Sequence, residues 1–141
     1  PRQVGANFGG EITLLGYDMD RASVTAESSF DVTLFWQAEE PPSEDYSVFL
    51  HLAAESGPPL AQDDDQPQDG TYPTSFWDVG EVVTETRTIR IPSDLPAGDY
   101  PLITGLYVLE TGRRLPYLDP EGAVQGDAVM LDAVKVHAAD P

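Results

Sequence analysis

The sequence feature that most constrains the fold is the segment 94–100, Asp-Leu-Pro-Ala-Gly-Asp-Tyr, and the apolar run that follows it. A Leu-Pro-x-Gly-x-Tyr segment just before a strand is typical of a tyrosine corner, where proline and glycine make the tight passage between two sheets. We therefore expect Gly98 to lie in the turn and Tyr100 to be buried. The Tyr100 hydroxyl should donate to a backbone carbonyl between Ile91 and Pro96. The motif carries no chemistry, and it predicts a β-sandwich.

Short alternating apolar runs along the rest of the chain predict an all-β domain of about seven to nine strands, and none predicts a convincing helix. The predicted strands are 11–18, 21–26, 30–38, 46–53, 60–62, 82–91, 101–109, 115–118 and 128–137. This spacing favours an antiparallel sandwich of the immunoglobulin or fibronectin kind, with a jelly roll as the alternative architecture. The alternation places Trp36, Val32, Leu50, Leu102 and Leu106 in one core.

The length of 141 residues suits a single domain spanning residues 1–141. The chain begins at Pro1 without an initiator methionine, so we expect it to be cut from a longer protein. It contains no cysteine, which removes disulfides and thiolate chemistry from consideration. No apolar run approaches the roughly 20 residues that span a bilayer, so this segment is not expected to insert into a membrane by itself.

The charge balance is strongly acidic, with 25 Asp and Glu residues against 7 Lys and Arg and a formal net charge of −18. Such a surface repels nucleic acid and anionic lipid, which excludes both as partners. An acidic shell keeps a protein in solution, and we interpret most of these carboxylates as solvated.

Residues 63–79 are too rich in Asp, Gly and Pro for regular structure, and they predict a long ordered loop. Tyr72, Phe76 and Trp77 give this loop an aromatic set that could stack on a sugar ring. The competing interpretation is that Trp77 folds back to plug the end of the sandwich and keeps the loop ordered. We favour the plug, with Tyr72 as the more exposed aromatic residue.

The same loop carries the densest group of carboxylates, Asp63, Asp64, Asp65 and Asp69. Calcium prefers oxygen ligands of this kind, and it is the one cofactor that the sequence suggests. The spacing does not match an EF-hand, since no glutamate closes the loop. Solvated loop acids are the favoured interpretation and a calcium site is the alternative.

The sequence offers no pattern for catalysis, so we predict that the domain is not an enzyme. Ser28, Ser29 and Ser75 lack a nucleophile-elbow motif. His51 lies in the middle of a predicted strand among apolar neighbours and is expected to be a structural histidine.

Several segments together resemble a bacterial domain type across roughly residues 8–137. They are Leu-Phe-Trp-Gln-Ala at 34–38, Tyr-Ser-Val-Phe-Leu-His-Leu at 46–52, Gly-Thr-Tyr-Pro-Thr-Ser-Phe-Trp at 70–77, Gly-Glu at 80–81, 95–107 and Thr-Gly-Arg-Arg-Leu-Pro at 111–116. This order is similar to the immunoglobulin-like β-sandwich domains at the C-terminal ends of large bacterial membrane proteins. Those proteins resemble the integral-membrane glycosyltransferases that use lipid-linked sugars.

The resemblance implies a non-catalytic accessory domain that acts as a spacer or interaction module, with the rest of a larger membrane protein as its partner. It also implies a location on the extracytoplasmic side of a bacterial membrane. The alternative is a carbohydrate-binding module that uses the aromatic loop, with calcium held by the nearby acids. Exposure of Trp77 separates the two hypotheses, because a stacking platform needs an exposed ring.

Overall fold

The computed structural model of the protein describes residues 2–21, 23–54 and 57–137, with Asp69 described by its backbone alone. This part of the chain is all-β. Its strands are β1 (Arg2–Phe8), β2 (Ile12–Met19), β3 (Ser23–Thr25), β4 (Ser29–Ala38), β5 (Ser47–Leu52), β6 (Ala61–Gln62), β7 (Val82–Arg90), β8 (Gly98–Tyr107), β9 (Tyr117–Leu118), β10 (Val124–Gly126) and β11 (Val129–His137). Within the described ranges, no helix has the length and apolar character needed to cross a membrane.

The strands form two sheets packed face to face, which confirms the predicted β-sandwich. The first sheet has six strands in the order β10-β9-β1-β2-β4-β7, and the second has five in the order β3-β11-β8-β5-β6. Neighbouring strands are antiparallel except β3 and β11, which run parallel. The sheets therefore form an antiparallel sandwich with one parallel pair at an edge.

The core lies between the inner faces of the two sheets, and the alternation of β4 shows why. Every second residue of this strand, from Phe30 to Ala38, is buried, and these alternate apolar side chains face the opposite sheet. The five residues predicted to share one core are all fully buried in a single cluster: Val32, Trp36, Leu50, Leu102 and Leu106. The predicted membership of these five residues in one core is thus confirmed.

The structure contains strands that the sequence did not predict. Residues 2–8 form β1, where no strand was predicted, and only Ala6 and Phe8 of that strand are buried, so its apolar signal is weak. Residues 124–126 form β10, whose three residues are all exposed. Both strands are held by backbone pairing to a neighbour more than by burial of their own side chains. This explains why the number of strands exceeds the prediction.

The tyrosine corner is present, with one difference in burial. The Tyr100 hydroxyl donates to the Pro96 carbonyl at 2.7 Å, within the predicted range. The Tyr100 ring is half-buried against the edge of the core, whereas full burial was predicted. Gly98 begins β8 instead of lying in the turn, and a Cβ there would meet the Tyr100 ring at an ordinary 3.7 Å. The corner therefore depends on the hydroxyl bond and not on an unusual glycine conformation.

Strand β7 places two opposite charges inside the sandwich. Thr84, Thr86 and Thr88 are exposed, but Glu85 and Arg87 point inward and are only 4% exposed. The Arg87 Nε donates to Glu85 Oε1 at 2.8 Å, and Trp36 Nε1 donates to Glu85 Oε2 at 2.9 Å. Both oxygens of the buried carboxylate therefore have a donor, as a buried charge requires.

The two Nη atoms of Arg87 hold the chain that follows β6. Nη1 donates to the carbonyls of Val48 and Asp63 at 3.4 and 3.2 Å, and Nη2 to those of Asp65 and Gln66 at 2.9 and 3.3 Å. An arginine has five N–H donors, and together with the bond to Glu85 all five are used. Arg87 thus joins the first sheet, the second sheet and the start of the 63–79 loop.

Replacing Arg87 with methionine should lower the free energy of unfolding by roughly 3–5 kcal/mol, because Glu85 is left buried without its cation. The double variant Glu85→Gln with Arg87→Met should recover part of that loss, since no unpaired charge remains. Urea denaturation followed by circular dichroism measures both values. Arg90→Met is the matched control, because Arg90 is exposed on the other face of β7 and should change stability by less than about 0.5 kcal/mol. A loss below about 1 kcal/mol in Arg87→Met would contradict this account.

Candidate functional site

Two kinds of contact hold the loop 63–79 against the sandwich. Its first residues pair with β5, where Val48 and Asp65 exchange backbone hydrogen bonds of 2.8 and 3.1 Å. Further on, 3₁₀ turns form at Pro67–Gly70 and Thr74–Phe76. The buried Thr74 hydroxyl donates to the Glu44 carbonyl at 2.6 Å and accepts from the Tyr46 N–H at 2.9 Å. The loop is therefore fastened to the segment that leads into β5.

The three aromatic side chains of the loop have different environments. Trp77 is 3% exposed and packs in the core, and its Nε1 donates to the Tyr72 carbonyl at 3.1 Å. This confirms the predicted plug. Phe76 is 66% exposed, and Tyr72 is half-buried with its ring centroid 6.5 Å from that of Trp77. The prediction that Tyr72 would be the more exposed residue is wrong, because its hydroxyl is bound to Glu81 and Phe76 makes no such contact.

Tyr72 and Glu81 form a hydrogen-bonded pair at the base of the loop. The Tyr72 hydroxyl lies 2.7 and 2.9 Å from the two Glu81 carboxylate oxygens. This bond raises the pKa of Tyr72 to about 12 and lowers the pKa of Glu81 from its usual value. The Asp78 N–H also donates to Glu81 at 3.0 Å, so Glu81 ties together both ends of the 72–81 segment.

The carboxylates of the predicted acidic cluster each contact a different residue instead of converging on one point. Asp63 accepts from the Thr88 N–H at 3.3 Å, Asp64 contacts His51 at about 3 Å, and Asp65 accepts from the Gln66 N–H at 2.7 Å. The side chain of Asp69 lies outside the described part of the structure. Across the described residues, no group of three His, Asp or Glu side chains is placed to hold a metal ion. The calcium site therefore stays a prediction.

The two histidines each contact one polar side chain. His51 is 8% exposed, and its Nε2 lies 3.0 Å from Asp64 Oδ1, while its ring packs on Phe49 with centroids 4.9 Å apart. His137 Nε2 lies 2.7 Å from Ser23 Oγ at the exposed β3–β11 edge. No carboxylate of the described residues contacts that imidazole, so the pair lacks the third group that orients a catalytic base. The structural role predicted for His51 agrees with these contacts.

A groove crosses the outer face of the second sheet, and sequence reasoning missed it. It encloses about 220 Å³ and is lined by Phe49, His51, Asp64, Tyr107, Gly112 and Arg114, a set that we call the outer groove. A neighbouring cavity of about 300 Å³ shares His51 and Arg114 and continues toward Ile103 and Pro59. The alternation of β5 gave one signal, because Phe49 and His51 lie on the face opposite to the core residues Val48 and Leu50.

Phe49 forms the floor of the outer groove because Gly105 stands beside it. The two residues are cross-strand partners, and a Cβ at Gly105 would come within 2.6 Å of the Phe49 ring. The Arg114 guanidinium covers that ring, with Cζ 4.1 Å from the centroid, and its Nη1 donates to Asp127 at 3.3 Å. Phe49 is therefore only 1% exposed although it lies on an outer face.

Comparisons with known proteins support the fold. No family model and no curated protein sequence matches the chain. Among solved structures, the chain is similar to the crystal structure of the C-terminal domain of Wzt, with a TM-score of 0.58 and 16% sequence identity. The match covers 96% of this chain and 78% of that one. At this identity the likeness establishes a shared β-sandwich fold and carries no residue roles.

Replacing Trp77 with alanine should lower the free energy of unfolding by roughly 3–5 kcal/mol, the usual cost of removing a large buried side chain. Phe76→Ala is the matched control, and because Phe76 is 66% exposed it should change stability by less than about 0.5 kcal/mol. Chemical denaturation of both variants gives the comparison. Equal effects of the two substitutions would show that Trp77 is not a plug.

The Tyr72–Glu81 bond should make stability depend on pH at the alkaline end. The folded protein holds the Tyr72 proton more tightly than the unfolded chain, so this contribution is complete below about pH 10 and is lost as the pH rises toward 12. The measurement is an alkaline titration followed by phenolate absorbance. In Tyr72→Phe, the titration curve should lack one of the tyrosines that ionise with a pKa near 12. Tyr46→Phe should remove the other, because burial raises the pKa of Tyr46 to about 12 as well. An unchanged titration curve in Tyr72→Phe would contradict the assigned bond.

Proposed function

We propose that this chain is a non-catalytic accessory domain that acts as a spacer or interaction module. Its partner is the rest of a larger protein, anchored in a bacterial membrane and similar to glycosyltransferases that use lipid-linked sugars. In this proposal the domain lies on the extracytoplasmic side of that membrane. The proposal of a larger parent is supported by the similarity in fold to a domain that is itself the C-terminal part of a longer protein.

The observation that carries the accessory role is the use made of the buried polar groups. Glu85 and Arg87 form an ion pair that links the two sheets and the loop, and His51 contacts Asp64. In the described part of the chain, every buried side-chain nitrogen and oxygen has a hydrogen-bond partner. Groups committed in this way stabilise one conformation, which suits a rigid module more than a centre that must bind and release a proton.

Deletion of the domain from the full-length parent protein tests this proposal. If the role is accessory, membranes containing the shortened parent should retain sugar transfer per correctly folded molecule within roughly twofold, because the transition-state contacts lie elsewhere. The amount of parent protein or its association with partners should fall. Loss of transfer by a shortened parent that is still folded and inserted would show that the domain supplies catalytic groups. A matched control is a parent in which Trp77→Ala loosens the domain without removing it.

Carbohydrate binding through the aromatic loop is the second candidate function, and the 66% exposure of Phe76 is the observation that favours it. Since Trp77 is buried, the stacking surface of this loop is reduced to Phe76 and one edge of Tyr72. Calcium held by the loop acids belongs to the same proposal. A rise in melting temperature with calcium chloride beyond that with sodium chloride of equal ionic strength would support it, and equal rises would remove calcium from the proposal.

A further inference from the structure

We propose that the outer groove binds a neutral saccharide. The inference rests on carbohydrate binding, the second candidate function above. It assigns that binding to a different site, on the outer face of the five-stranded sheet. It is independent of the accessory role, which holds whether or not a sugar binds.

Arg114 has more hydrogen-bonding capacity than the protein uses. It makes a single side-chain hydrogen bond to the described residues, through Nη1 to Asp127, and four of its five N–H donors are left over. Its side chain is 35% exposed although it covers Phe49. This is the reverse of Arg87, whose five donors are all satisfied inside the sandwich. A fixed guanidinium with free donors at the edge of a concave site is suited to binding oxygen atoms of a ligand.

One guanidinium and two carboxylates stand close together at the groove. Arg114 lies against Asp127 at 3.3 Å, and His51 lies against Asp64 at 3.0 Å. A cationic ligand would meet the guanidinium, and an anionic ligand would meet two carboxylates on a chain whose net charge is −18. A neutral ligand avoids both costs. Neighbouring donors and acceptors of this kind match the paired hydroxyl groups of a sugar, each of which can donate and accept.

The lining also supplies an apolar surface. The Tyr107 ring is half-buried at the groove, with its centroid 6.3 Å from that of Phe49, and its hydroxyl has no hydrogen-bond partner among the described residues. The C–H face of a pyranose can pack on the exposed part of the Tyr107 ring, while an entirely apolar ligand would leave the charged side chains without partners. The cavity of about 300 Å³ that continues the groove lies at the small end of the range for ligand pockets, which suits a short saccharide.

The test is a titration of the isotopically labelled chain with glucose, galactose, mannose, cellobiose and lactose, followed by amide chemical shifts. At least one of these sugars should give saturable shifts at His51, Gly112 and Arg114. Arg114→Ala should raise the Kd roughly tenfold or more, because charge-assisted hydrogen bonds are lost. Arg114→Lys should also weaken binding, since it keeps the charge but loses the planar donors. Arg113→Ala, the same change one residue earlier and at an exposed side chain, should leave the Kd within about twofold.

Each other outcome overturns the inference in a distinguishable way. Saturable shifts confined to Tyr72 and Phe76 would place the sugar on the aromatic loop, so the second candidate function would stand without this site. If none of the five sugars gave saturable shifts, sugar binding at the outer groove and sugar binding at the aromatic loop would both be rejected. Tighter binding of glucuronate or inorganic phosphate than of glucose at the groove amides would show an anion site instead. A retained amide spectrum in the Arg114 variants establishes that the loss of binding is not a loss of fold.

Discussion

The buried guanidinium of Arg87 is the interaction on which the arrangement of the sandwich depends. Burying a charge costs several kcal/mol unless it is paired and fully hydrogen-bonded, and Arg87 meets that condition through Glu85 and four backbone carbonyls. Those carbonyls belong to β5 and to the start of the 63–79 loop. The loop is therefore positioned from inside the core, and Trp77 completes the closure at its far end. An apolar contact could not fix the carbonyls in the same way, because it has no direction.

Alternation of apolar residues predicted the core faces of β4, β5 and β8 well, since every second residue along each of these faces is fully buried. The tyrosine corner and the buried Trp77 could also be predicted, because both depend on residues close together in the sequence. Glu85 and Arg87 could not, because Glu85 finds Trp36 across 49 residues and Arg87 finds Val48 across 39. Strand β1 was missed for a related reason. It is held by pairing with β2 and β9, and only two of its own residues, Ala6 and Phe8, are buried.

The interior of the sandwich and the outer face of the five-stranded sheet use charge in opposite ways. On the inner side, the charged and polar donors are consumed by the protein itself, which produces rigidity. On the outer side, Arg114 and Tyr107 keep donors that the protein does not use, and Gly105 gives Phe49 the space to lie flat beneath them. The sequence indicated the aromatic loop as the candidate binding surface, because three aromatic residues lie close together there. The structure shows that polar residues from three separate segments meet on the outer face, and no local pattern announces that meeting.

The burial of both tryptophans has a consequence for optical experiments on this protein. Trp36 is bound to Glu85 and Trp77 to the Tyr72 carbonyl, and neither indole reaches the surface of the outer groove. Because unfolding exposes both indoles to water, intrinsic emission is a sensitive reporter of unfolding. It is a poor reporter of a molecule that docks on the opposite sheet, where the lining chromophores are Phe49 and Tyr107. A fluorescence titration without a signal change would therefore reflect the distance of the indoles from the groove, and it would not show that no ligand binds.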